Sequence, residues 1–123
     1  METITLYHGT SIDSALNILN HGLSAEKLEA LQTRPVQSGP GWYVAFEPRV
    51  AWYFATLAPF AVKGCTVIEM SLAKEKFEHL LATGQARREI IASVLFKAEQ
   101  VVFFLTAFDF LNQYAEFRPY QEV

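Results

Sequence analysis

Three separated parts of this 123-residue chain carry side chains suited to chemistry on a polar ligand. His8 is followed directly by Gly9, Tyr43 lies in a segment that opens with Gly41, and Glu99 interrupts an apolar run near the C-terminus. An imidazole can hydrogen-bond a hydroxyl, an aromatic ring can stack on a flat group, and a carboxylate can stabilise positive charge. The order of these residues therefore predicts one site assembled from distant parts of the chain.

His8 stands where a predicted strand gives way to a predicted helix. Residues 3–8 alternate and are rich in Ile, Leu and Tyr, which is typical of a strand. A glycine at position 9 lets a ligand approach the backbone closely. The hydroxyls of Thr10 and Ser11 lie beside the exposed N–H groups of a helix start, which suit a ribose or phosphate oxygen. This segment is therefore the first candidate for ligand binding.

Two tyrosines follow a loop that is rich in glycine and proline. Tyr43 lies on a short predicted strand after the loop, and Tyr53 lies ten residues later on a predicted helix. Two rings on adjacent elements can sandwich a planar group.

One acidic residue stands out in the C-terminal third. Glu99 interrupts an otherwise apolar run over residues 94–108, and carboxylates are rarely buried unless they are paired or functional. Glu69, inside another apolar strand, is the rival candidate. We expect Glu99 to be the functional carboxylate.

The elements that would position these residues do not alternate strictly. Strands are predicted at residues 3–8, 42–46, 66–72, 94–96 and 100–108. Helices are predicted to begin after Ser11, at Ser24 and at Pro48, and to cover residues 73–81 and 85–93, while residues 109–123 suit either a helical turn or another strand. This mixture predicts an α+β fold.

Composition limits the other possibilities. The length, a hydrophobic fraction of 51% and ten Phe predict one globular domain over residues 1–123. The net charge of −3 offers no basic stripe for a phosphate backbone, and Cys65, the one cysteine, cannot form a disulfide framework. No pair of histidines at ligand spacing supports zinc, so no metal is expected. No segment approaches the roughly 20 apolar residues of a membrane span, so we expect no membrane partner and a cytoplasmic location.

The three segments resemble, in order and spacing, the His-Tyr-Glu class of ADP-ribosyltransferases. Residues 6–11 and 15–23 are similar to the opening of the diphtheria-toxin-like and poly(ADP-ribose) polymerase-like catalytic domains. Residues 41–45 resemble their Gly-x-Tyr-Phe-Ala segment, and residues 96–104 resemble their glutamate-bearing strand. The resemblance runs from residue 4 to about residue 108. It implies a compact split mixed sheet with flanking helices.

The resemblance also implies an activity and a substrate. NAD would be the co-substrate, the nicotinamide–ribose bond would be cleaved, and ADP-ribose would pass to a protein, nucleic acid or small-molecule acceptor. The implied catalytic residues are His8, Tyr43 and Glu99, and the implied NAD-binding residues are Gly9, Thr10, Ser11, Gly41 and Tyr53. Compact transferases of this kind include bacterial toxins and effectors, which leaves room for an inhibitor or immunity protein as a partner.

The sequence departs from the family pattern in two respects, and three alternative functions stay open. Residues 50–52 lack the serine that often precedes the second tyrosine, and the chain is much shorter than a polymerase catalytic domain, which favours mono-ADP-ribosylation or NAD hydrolysis. The first motif also resembles that of NAD-dependent RNA 2′-phosphotransferases, although the second histidine motif of those enzymes has no match here. A catalytically inactive module that binds NAD or ADP-ribose is the second alternative. The third is an unrelated α+β interaction domain.

Overall fold

A six-stranded antiparallel sheet with four helices around it forms the described part of the chain. The computed structural model describes residues 2–24, 41–57, 64–92 and 97–121. The strands are β1 (Thr3–Ser11), β2 (Gly41–Ala45), β3 (Cys65–Ala73), β4 (Ala86–Ala92), β5 (Lys97–Phe104) and β6 (Glu116–Pro119). The helices are α1 (Ile12–His21), α2 (Pro48–Leu57), α3 (Lys74–Ala82) and α4 (Phe108–Tyr114), with a 3₁₀ turn at Leu105–Ala107. Among these residues, no helix is long and apolar enough to cross a membrane.

The predicted α+β class is confirmed, but the expected mixed sheet is wrong. The strand order is β4-β5-β2-β1-β3-β6, and each described pairing is antiparallel. β1 pairs with β3 along its whole length, from Thr3↔Ala73 to Ser11↔Cys65. On its other side, β1 pairs with β2 at one position, Tyr7↔Ala45. The sheet is therefore nearly divided between β1 and β2.

The two faces of the sheet carry different neighbours. Side chains alternate along each strand, so residues paired with Leu6 or Val44 share one face, here called the core face. This face holds the main apolar cluster, to which α3 contributes Phe77 and α4 contributes Leu111. The opposite face meets α2 at Gly9 and is called the α2 face. Functional residues can therefore be assigned to a face from the strand register.

The start and end of α1 follow the predicted signals. Ser11 is the N-cap, and its Oγ accepts a hydrogen bond from the backbone N–H of Ser14 at 3.2 Å. Gly22 ends the helix with φ of 78°, and its N–H donates to the carbonyl of Ile18 at 2.8 Å. Asn112 of α4 then clamps Leu23 by accepting from its N–H and donating to its carbonyl. The chain after α1 is thus fixed to the C-terminal helix.

The C-terminal half contains two errors of prediction. Residues 85–93 were expected to be helical, but β4 occupies most of that stretch as an edge strand paired with β5. The strand predicted to run to residue 108 ends at Phe104, and the tail contains both a helix and a strand. The predicted strand at 94–96 and nearly all of the helix predicted to begin at Ser24 lie outside the described residues.

Candidate functional site

His8 bridges the two parts of the divided sheet with its side chain. Its Nδ1 lies 2.6 Å from the carbonyl oxygen of Tyr43 on β2. A carbonyl can only accept, so Nδ1 carries the proton and donates it, which leaves Nε2 with a lone pair. Among the described residues the imidazole makes this one hydrogen bond. His8 therefore presents a hydrogen-bond acceptor, the type of group that binds a hydroxyl donor.

The imidazole is packed against a buried indole. The ring centroids of His8 and Trp42 lie 4.7 Å apart with an interplanar angle of 35°. Trp42 is 1% exposed and also contacts the rings of Phe103 and Phe117. Desolvation by burial lowers the pKa of His8 to about 4, although its hydrogen bond to Tyr43 opposes this shift. The ring is therefore neutral at pH 7.

The lowered pKa of His8 predicts a specific dependence of stability on pH. Between pH 6.5 and about 4 the unfolded chain binds a proton at His8 that the native ring does not, so stability falls as the pH falls. We expect this residue to reduce the free energy of unfolding by up to about 3 kcal/mol over that range. Urea unfolding of the wild type and of His8→Gln at pH 7.5, 5.5 and 4.5 measures the effect. An unchanged difference between the two proteins across these pH values contradicts a neutral, enclosed imidazole.

Gly9 is required by helix packing. A Cβ at this position would lie 2.9 Å from the Cβ of Ala55 and nearer still to the carbonyl oxygen of Ala51, both on α2. The glycine therefore allows α2 to lie directly on β1. This close contact gives Gly9 a structural reason of its own, besides the backbone access for a ligand that the sequence suggested.

The two tyrosines of the predicted stacking pair belong to the same side of the molecule. Tyr43 neighbours Trp42 on β2, so its side chain is assigned to the α2 face rather than the core face. Tyr53 lies on α2, where its ring contacts that of Phe54 edge-on at 5.5 Å. The strand register therefore places both tyrosines on the side of the sheet opposite His8.

The remaining residues of the predicted NAD site have mixed positions. Ser11 is 6% exposed and serves as the N-cap of α1, so its hydroxyl is already engaged. Thr10 pairs with Thr66 of β3 and is partly exposed. Gly41 opens β2 close to β5, where a Cβ would meet the side chain of Val102 at 2.5 Å. The side chain of Thr10 is therefore more accessible to a ligand than that of Ser11.

Glu99 lies on the core face of β5 but is not buried. Its side chain is 41% exposed, and its Oε1 lies 3.3 Å from Nη1 of Arg88 on β4. The expectation of a buried carboxylate is therefore wrong, although the position on the strand is as predicted. The register places His8 and Glu99 on the same face, two strands apart and two residues out of line, so roughly 12 Å separates their backbones.

Glu69, the rival carboxylate, occupies a different environment. It pairs with Tyr7 on the α2 face, and its Oε2 lies 2.6 Å from Nε of Arg118. Nη2 of Arg118 also donates to the hydroxyl of Ser71 at 2.6 Å. Desolvation, Glu69 and Tyr120 together raise the pKa of Tyr7. Glu69 is thus part of a polar network that ties β6 to the sheet, on the face opposite His8.

Two residues near the candidate site were not predicted from the sequence. Trp42 supports His8, and Arg88 is paired with Glu99.

No family model, curated protein or solved structure matches this chain. Within the described ranges no group of three or more His, Cys, Asp or Glu could hold a metal ion. One face of the sheet thus offers a ligand the neutral acceptor Nε2 of His8 and the carboxylate of Glu99. The rings of Tyr43 and Tyr53 belong to the opposite face.

Proposed function

We propose that the protein is an NAD-dependent ADP-ribosyltransferase that cleaves the nicotinamide–ribose bond. The observation that carries the proposal is the neutral His8 imidazole, which donates through Nδ1 to the Tyr43 carbonyl where β1 and β2 separate. The resulting acceptor at Nε2 suits a ribose hydroxyl. The order of His8, Tyr43 and Glu99 along the chain supports the same conclusion.

The break in the sheet supports a place for the nicotinamide ring. Beyond Tyr7↔Ala45, β1 and β2 have no further backbone pairing in the described residues, so a flat group inserted there displaces no ladder hydrogen bond. The rings of Tyr43 and Tyr53 would stack on nicotinamide from the α2 side. The ribose would then face the core side, where His8 and Glu99 lie.

Glu99 would stabilise the charge that develops when the bond breaks. The bonding electron pair leaves with nicotinamide and neutralises its ring nitrogen, and positive charge develops on the ribose. A carboxylate hydrogen-bonded to the ribose hydroxyl stabilises that charge. The acceptor, or water, then bonds to the ribose carbon and loses its proton. The products are nicotinamide, a proton, and the ADP-ribosylated acceptor or free ADP-ribose.

The arginines argue against the RNA 2′-phosphotransferase alternative, which needs several of them at one phosphate site. Each of the four described arginines pairs with a different carboxylate, and the two on β4 lie on opposite faces of the sheet. Arg34 lies outside the described residues. Transfer of a single ADP-ribose unit, and a role as a toxin or effector acting in a cytoplasm, are proposed by family resemblance alone.

The proposal predicts nicotinamide release by the purified protein. We expect wild type to release nicotinamide from NAD, and His8→Gln to raise KM for NAD about tenfold, because it removes one hydrogen bond to the substrate. Chromatography quantifies the nicotinamide released and gives KM, and calorimetric titration measures the binding of NAD. His21→Gln, a change in the last turn of α1, is the matched control and should behave as wild type.

The outcomes separate the candidate functions. Binding of NAD without release would indicate the inactive binding module, and release that requires a 2′-phosphorylated RNA would indicate the phosphotransferase. No binding of NAD would contradict all three.

A further inference from the structure

Arg88 contacts the carboxylate that the proposed reaction needs. It lies on edge strand β4, two register positions from Ile90, the partner of Glu99, and its Nη1 is 3.3 Å from Glu99 Oε1. The two side chains are 51% and 41% exposed, so solvent weakens their attraction. The ion pair therefore contributes little to the free energy of folding. Its position beside Glu99 is better explained by a role in the reaction.

The guanidinium of Arg88 is itself held in place by two aromatic rings. Its central carbon lies 5.4 Å from the centroid of Phe46 and 5.5 Å from that of Phe77. Phe77 belongs to α3 and is 1% exposed, so this support is part of the core. A planar cation packed on aromatic rings has few orientations available. Arg88 is thus a fixed donor rather than a freely moving surface side chain.

We propose that Arg88 is a positioning residue that orients the Glu99 carboxylate for ADP-ribosyl transfer, an inference that rests on the proposed function. Arg88 binds Oε1 of Glu99, which leaves Oε2 to accept the hydrogen bond from the ribose hydroxyl. An exposed glutamate without such a partner samples several rotamers, and misplacing a catalytic group by 1 Å costs about 100-fold in rate.

The adjacent arginine provides a matched control. Arg87 lies on the same strand but on the α2 face, where its Nη2 is 3.2 Å from Oε2 of Glu89. Its side chain is 57% exposed, close to the value for Arg88. The two arginines are thus similar in exposure and strand, but Arg87 contacts a carboxylate that is 7% exposed, whereas Arg88 contacts the more exposed Glu99 and packs on two rings.

Steady-state nicotinamide release by wild type, Arg88→Gln, Arg88→Lys and Arg87→Gln tests the inference. We expect Arg88→Gln to lower kcat about 10- to 100-fold while KM for NAD changes less than about threefold, because orientation and not binding is lost. Arg88→Lys, which keeps a cationic donor, should recover part of kcat. Arg87→Gln should keep kcat within about twofold, since Arg87 lies on the face of β4 opposite the one that carries Arg88 and is paired with Glu89 rather than Glu99. The melting temperature of each variant, measured alongside, shows whether a lower kcat comes with a loss of folded protein.

Each outcome decides the question. Wild-type kcat in Arg88→Gln overturns the positioning role alone. A raised KM with unchanged kcat also overturns it, because Arg88 would then bind NAD directly. Equal losses in Arg87→Gln and Arg88→Gln assign the effect to β4 as a whole and overturn it too. Wild type that releases no nicotinamide overturns the proposed function, and the role of Arg88 with it.

Discussion

Glu99→Gln is expected to lower the rate of nicotinamide release at least about 100-fold while NAD binding is retained. Glutamine keeps the size of glutamate and can still contact a ribose hydroxyl, but it carries no negative charge. The lost interaction is therefore one that matters when positive charge develops on the ribose. Single-turnover release measured at saturating NAD reports this step, and titration calorimetry reports binding.

Glu69→Gln is the matched control for this prediction. Glu69 is also a carboxylate within a strand and also pairs with an arginine, Arg118 at 2.6 Å, but it lies on the opposite face of the sheet. We expect Glu69→Gln to release nicotinamide at close to the wild-type rate. If Glu69→Gln were inactive and Glu99→Gln active, the carboxylate would be assigned to the wrong strand.

Gly9→Ala is expected to destabilise the fold by about 3 kcal/mol or more. The added methyl group would overlap the backbone carbonyl of Ala51, and a backbone atom cannot rotate away as a flexible side chain can. Helix α2 would have to move off β1, which exposes apolar surface such as that of Ala55. Urea unfolding followed by far-ultraviolet circular dichroism measures the loss.

Gly84→Ala separates this packing effect from the general cost of replacing a glycine. Gly84 has φ of 76°, but nothing lies within 4 Å of a Cβ built there. Its replacement should cost about 1 kcal/mol, from backbone conformation alone. Equal losses in the two variants would show that α2 accommodates the methyl group at position 9.

The sequence predicted the elements whose signals are local. α1 has a serine N-cap and a glycine stop, α2 has a proline in its first turn, and β3 is rich in apolar and β-branched residues. These features act within a few residues, so they can be recognised without knowing the fold. The three candidate catalytic residues were found in the same way, from their neighbours in the chain.

β4 shows why a prediction from local pattern fails at an edge strand. Its two adjacent arginines and a glutamate, followed by two isoleucines, resemble a helix with one apolar side. In the fold, Arg87 and Arg88 lie on opposite faces, and Ile90 is 63% exposed because the strand is at the edge of the sheet. The exposure of Glu99 was missed for a related reason. Its side chain lies near the start of β5 and is directed toward Arg88 on the edge strand, which the sequence did not identify as a strand.

The strand order and the break beside β1 could not be predicted from any single segment. They depend on β1 pairing with β3 and β2 pairing with β5, across chain separations of about 60 residues in each case. The contact between His8 and the Tyr43 carbonyl follows from this arrangement. The geometry that relates the candidate residues was therefore not predictable from the sequence alone.

The single backbone pair between Tyr7 and Ala45 has a mechanical consequence. Strands β4, β5 and β2 form one three-stranded unit, and β1, β3 and β6 form another. Few backbone hydrogen bonds join the two units, so side-chain contacts connect them, including that of His8 with the Tyr43 carbonyl and that of Trp42 with Phe117. A ligand that binds Nε2 of His8 would therefore add a second interaction to a side chain that already joins the two units. It would reduce the motion of one unit relative to the other.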